Sequence, residues 1–183
     1  MVSLSALWGA ILLSAVIVFV ASSIMHMVLP HHKTDYKKLP EEEKVAAALR
    51  GLGRGLYVIP FCTMKEMKSP EMQEKYKQGP VGTITIMPPG PPAMPKFLGQ
   101  WFGYCVLVSF FVAYLAGHTL AVGTPYPAVF RVVGTAAFLA YGLGALPNGI
   151  WKGQLWGNTL KEVVDGLVYG LLTAGTFGWL WPR

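Results

Sequence analysis

Residues 4–29, LSALWGAILLSAVIVFVASSIMHMVL, contain no Asp, Glu, Lys or Arg. A helix needs roughly 20 mostly apolar residues to cross the hydrocarbon layer of a bilayer, and this stretch exceeds that length. Working outward, three more stretches meet the same condition at 98–122, 128–147 and 163–182. The expected fold is therefore an all-α membrane protein, a four-transmembrane-helix bundle. Residues 1–30 form span one, 31–97 a polar connection, and 98–183 a three-span block.

Composition agrees with this reading. The 183-residue chain is 53% hydrophobic and only 13% charged, where soluble domains carry roughly 25% charge. Of its 24 charged side chains, 18 lie between residues 31 and 96. Ala21 and Ser23 suggest a cleavage site, but MVSLSALW lacks the basic residues of a signal peptide, so an uncleaved anchor is expected. Trp8, Trp101, Trp151, Trp156, Trp179 and Trp181 fall at or just beyond the predicted helix ends, where indoles seek the headgroup region.

The long connection and the link between spans three and four must share one side of the membrane. Together they hold 13 of the 15 Lys and Arg residues, which predicts a cytoplasmic connection and outward termini, as in a bacterial inner membrane. The net charge of +6 is read as attraction to a membrane surface and not to nucleic acid, because seven acidic residues are interspersed in the basic segment. Within the connection, Pro40-Glu41-Glu42-Glu43 predicts a helix over 41–50. Ser69-Pro70-Glu71 opens a second helix that Gly79 stops. LYVIPF at 56–61 and VGTITIMP at 81–88 are candidate partners in a small β-hairpin.

Small residues recur every fourth position in the spans, which is how membrane helices bring their backbones together. Gly166, Gly170, Ala174 and Gly178 mark span four, and Ser109, Ala113 and Gly117 mark span two. These faces serve packing inside the bundle, or contact with partner subunits or a second copy.

Four polar side chains within the spans are the candidates for ligand or proton binding: His26, Asp165, His118 and Arg131. His26 and Asp165 are expected near the same membrane boundary and within reach of each other. His118 and Arg131 are expected to approach across the GTPYP turn, with Tyr126 close by. His26, His31 and His32 form an HxxxxHH pattern with Asp35 nearby, residue types that suit a divalent metal. That spacing is not specific, and Pro30 breaks the helix between the histidines, so no metal site is assigned. Placed near opposite faces, His26 and His118 make a poor axial pair for one haem. Cys62 and Cys105 form no CxxC pair. The methionines around His26 and in Met64-Lys65-Glu66-Met67 are read as apolar filler and not as copper ligands. No cofactor is identified.

The segments SLSALWGAILLSAVIVFVASS, LPNGIWKGQLW and GLVYGLLTAGTFGWLW give the chain its layout. In that layout it resembles a family of small bacterial four-helix membrane proteins described as a domain of unknown function. The resemblance implies an N-terminal span, a polar connection and a three-helix block; the connection of this chain is much longer.

No HExxH, GxSxG, phosphate loop or CxxCH occurs. The expected function is a non-enzymatic accessory or structural subunit of a membrane complex. The competing expectation is a small homo-oligomeric transporter or proton-linked carrier built on the His26–Asp165 pair. A third, contact with a quinone or pigment, follows from the Trp and Tyr crowding both interfaces, although membrane anchoring explains those rings as well.

Overall fold

A computed structural model describes residues 1–183. Four helical segments are long and apolar enough to cross a membrane: Leu4–Val28, Met94–Thr119, Tyr126–Trp151 and Trp156–Leu180. Ser3 starts the first by accepting a hydrogen bond from the Ala6 amide at 3.3 Å. After a 3-10 turn, α1 runs over Trp8–Ser23 and passes into a wider π turn at Ile24–Val28. Leu29 is extended (φ −75°, ψ 142°), as suits the residue before a proline, and Pro30–His32 then form one 3-10 turn. This stop folds the two adjacent histidines back toward the bundle.

The connection carries α2 (Glu42–Leu49), β1 (Gly55–Ile59), α3 (Pro70–Gln78) and β2 (Gly82–Ile86). The strands pair antiparallel, with Gly55 opposite Ile86 and Ile59 opposite Gly82. Ser69 caps α3 by accepting from the Met72 amide at 3.2 Å, and Gly79 ends it at φ 64°, a conformation that favours glycine. Both expected helices and the expected strand pair are present.

The bundle is closed by α4 (Met94–Thr119), α5 (Tyr126–Tyr141), the short α6 (Leu146–Trp151) and α7 (Trp156–Leu180). Three boundaries differ markedly from expectation, one of them the end of the third segment, which runs to Trp151, four residues beyond 147. Helix α4 starts four residues before 98, and α7 starts seven residues before 163. Hydropathy follows side chains, whereas a helix continues through Lys161 and Glu162 because its backbone bonds do not depend on apolarity. The link between α6 and α7 therefore shrinks to residues 152–155. Trp101 accordingly lies within α4, where its Nε1 donates to Ser22 Oγ at 2.8 Å.

Helices α5 and α7 make the most extensive contact, and α1 packs on both α4 and α7. A Cβ at Gly166 would collide with the Gly142 and Tyr141 backbone, and one at Gly170 would sit 3.1 Å from the Phe138 amide nitrogen. Ala174 is buried, and Gly178 lies under the Tyr126 ring. Across the α1–α4 contact the buried Ser14 and Ser109 hydroxyls are 3.0 Å apart. Ala113 is also buried, and Gly117 admits the N-terminal strap, whose Val2 amide donates to Gly117 O at 2.8 Å.

Candidate functional site

The end of α1, the turn after it and the middle of α7 converge on one carboxylate. Asp165 is 3% exposed, so its charge needs partners. His32 Nε2 lies 2.6 Å from Asp165 Oδ2, His31 Nε2 3.2 Å from Oδ1, and His26 Nε2 3.9 Å from Oδ2. The His26 and His32 rings stack at 4.2 Å, and the His31 and His32 rings approach at 4.0 Å. The expected meeting of His26 and Asp165 is present, and His31 and His32 join it.

A second layer orients this group. His32 Nδ1 donates to Asp35 Oδ2 at 2.5 Å, and Lys161 Nζ donates to Asp35 Oδ1 at 2.6 Å. Lys161 also donates to Thr34 Oγ1 at 3.1 Å. Asn158, two residues into α7, donates through Nδ2 to the Asp35 carbonyl at 3.1 Å; it ties the turn to the helix and does not cap it. Burial by itself disfavours a proton on His32, but hydrogen bonds to Asp35 and Asp165, with their charges, outweigh it and raise the pKa above the usual imidazole value. The hydrogen bond from Lys161, followed by that from His32, lowers the Asp35 pKa.

The chemistry of the donor set goes beyond an ion pair. Nε2 of His26, Nε2 of His32 and a carboxylate oxygen of Asp165 lie within 4.8 Å of one another. Both Nδ1 atoms already face oxygen acceptors: Ser22 O at 3.1 Å from His26, and Asp35 from His32. With the ring protons at Nδ1, both Nε2 lone pairs point at Asp165, the arrangement that carboxylate and carbonyl partners impose on metal-ligating histidines. Around one ion with bonds of ~2.0 Å, tetrahedral ligand atoms stand about 3.3 Å apart. The 2.6 Å pair would open and the 3.9 Å pair close, movements within the reach of side chains.

Beside this cluster, a cavity of about 700 Å³ opens between the end of α1, the start of α4, the α5–α6 corner and α7. His26 and Asp165 share its polar end with Asn148 and Glu162, while Trp101, Tyr104, Tyr141 and Tyr169 supply aromatic walls. Gln154 steadies Glu162 by donating to Oε1 at 2.8 Å. From the α6–α7 region, Asn148 and Glu162 thus reach the cavity, whereas Trp151 and Lys152 are exposed outside it.

The opposite end of the bundle holds no such assembly. His118 Nδ1 lies 2.8 Å from Tyr114 O in its own helix, and its ring packs on Tyr114. Arg131 is exposed and pairs with no carboxylate. The expected approach of His118 and Arg131 is not formed, because each finds a local carbonyl or the helix exterior first. Tyr126 packs instead on Gly178 and Phe130. No family model, curated protein or solved structure matches this chain.

Proposed function

We propose that this chain is a membrane-embedded, non-enzymatic subunit that binds a divalent first-row transition metal through His26, His32 and Asp165, with His31 as the fourth ligand. The observation that carries the reading is the convergence of two Nε2 atoms on one buried carboxylate while both Nδ1 atoms are held by oxygen acceptors. Imidazoles with a carboxylate suit zinc and its neighbours better than calcium or magnesium, which take all-oxygen shells. With the basic connection on the cytoplasmic side, the metal would sit at the cytoplasmic boundary. The ion would clamp the end of α1 onto α7.

Titration of the purified protein with Co2+ tests this. One equivalent is expected to give the visible absorption of a four-coordinate site, displaceable by Zn2+ and absent from a His26→Gln/His32→Gln variant. Binding that is equal in that variant, or missing from the wild type, overturns it. A second reading, a proton-linked carrier, draws on the 3.9 Å His26–Asp165 approach. It predicts proton flux in proteoliposomes that His26→Asn and Asp165→Asn abolish, with or without a chelator.

A further inference from the structure

The cavity beside the histidine cluster has a feature that the cluster does not use. Its aromatic walls carry four polar atoms, three of which are engaged. Trp101 Nε1 donates to Ser22 Oγ at 2.8 Å, Tyr104 Oη to Ala140 O at 2.9 Å, and Tyr141 Oη to Cys105 O at 3.4 Å. The fourth, the hydroxyl of Tyr169, has no partner, and it is the only buried side-chain polar atom in the protein without one. Tyr169 is 4% exposed. A buried donor left unpaired is costly, and native structures rarely tolerate one without a ligand or water to complete it.

The surroundings define what could complete it. Trp101 lies 6.2 Å from Tyr169 and 5.5 Å from Tyr104, and Tyr141 lies 5.7 Å from Tyr169, so the rings form one cluster with faces and edges for a flat guest. At the mouth, Met94 and Leu98 are exposed on the first turns of a membrane-spanning helix, which gives an apolar tail an exit toward lipid. A cavity of about 700 Å³ lies within the range usual for small-molecule sites.

We infer that this cavity binds a lipid-soluble quinone. Its ring lies against the aromatic cluster, a ring carbonyl accepts the Tyr169 hydrogen bond, and its tail leaves past Met94 and Leu98. The binding is independent of the metal reading, since the cavity and the unpaired phenol exist whether or not an ion joins His26 and His32.

The test uses full-length protein in detergent with a chelator present, so that loss of the metal site does not affect the outcome. The probe is a short-chain ubiquinone, and a saturated fatty alcohol of similar length is the control. Saturable quenching of tryptophan fluorescence and a rise in Tm are expected with the quinone and not with the alcohol. Gly144 lines the cavity and a Cβ there meets nothing within 4 Å, so Gly144→Phe starts its side chain in open space, should fill the cavity and should abolish both signals. Tyr169→Phe should raise the Tm of the ligand-free protein by removing the unpaired hydroxyl, and weaken quinone binding about 3- to 10-fold, the equivalent of one hydrogen bond. Quenching that fails to saturate, an equal response to the alcohol, or an unchanged response in a folded Gly144→Phe variant overturns the inference.

Discussion

The two ends of this bundle contain similar residue types and treat them differently. At one end, His26 comes from a helical segment that stops before Pro30, and the turn that follows brings His31 and His32 onto Asp165 of α7 beside it. At the other, His118 ends an uninterrupted helix and returns to its own Tyr114 carbonyl, while Arg131 faces outward. Polar side chains in a long apolar helix thus form a site when a break in the helix lets several segments reach one buried charge. Otherwise they settle on the nearest backbone acceptor.

Asp165→Asn should break this contrast most severely. It removes the anion shared by three histidines and should abolish Co2+ binding. It should also cost about 3 kcal/mol, the low end for breaking a buried pair, because an imidazolium can shed its proton. Chemical or thermal unfolding in detergent measures the cost, and proteolysis after Lys33 should accelerate as the turn undocks.

Glycines sharpen the comparison next. Gly166, beside Asp165, faces the Gly142 and Tyr141 backbone, which cannot yield, so Gly166→Ala should destabilise by about 2 to 3 kcal/mol. At the far end the same change at Gly178 brings its Cβ to 2.6 Å from the Tyr126 ring, a side chain free to turn, and should cost about 1 kcal/mol or less. Equal losses of Tm for the two variants would contradict this asymmetry.

Charge in the second layer gives a smaller effect. Lys161→Ala frees Asp35 and should weaken metal binding about 10-fold through the orientation of His32. Without a metal, acid and base should each loosen the cluster, through different groups. The raised His32 pKa contributes stability that is complete below the ordinary imidazole value and is lost as pH rises through the raised one. The lowered Asp35 pKa contributes stability present above the ordinary carboxylate value and lost as pH falls through the lowered one. Tm in a chelator should therefore peak between about pH 4 and 6.5, with His26, His31, Asp165 and Lys161 also facing His32, and the peak should flatten in His32→Gln. The smallest effects are expected from His118→Ala and Arg131→Ala, within about 0.5 kcal/mol and with no change in Co2+ binding.

Much of the architecture was legible from side chains alone. Apolar runs reveal spans, Ser69 and Gly79 bracket a helix, and the alternating GTITI segment announces a strand. The boundaries at 94 and 156 were not legible, because charged and polar residues continue a helix without an apolar signal. At the site, the His26–Asp165 approach followed from their expected places near the same end of the apolar runs. The roles of Asp35, Lys161 and Asn158 did not, since they depend on how the turn after Pro30 lies against α7. A signal for His31 and His32 existed in the HxxxxHH spacing, but its direction was hidden by the proline. Nothing in the residue order marks Tyr169 as the unpaired phenol, because its neighbours come from three other helices.

The sequence by itself determined four long apolar helices, the short elements between them and the small-residue faces that let the helices touch. These depend on local properties: apolarity, backbone preference and side-chain size at regular spacing. Only the tertiary structure decided that three histidines share one carboxylate, that a second carboxylate and a lysine orient them, and that one tyrosine lacks a partner. Those outcomes depend on directions of side chains from segments distant along the chain, and each direction is fixed by packing and by competition for hydrogen bonds.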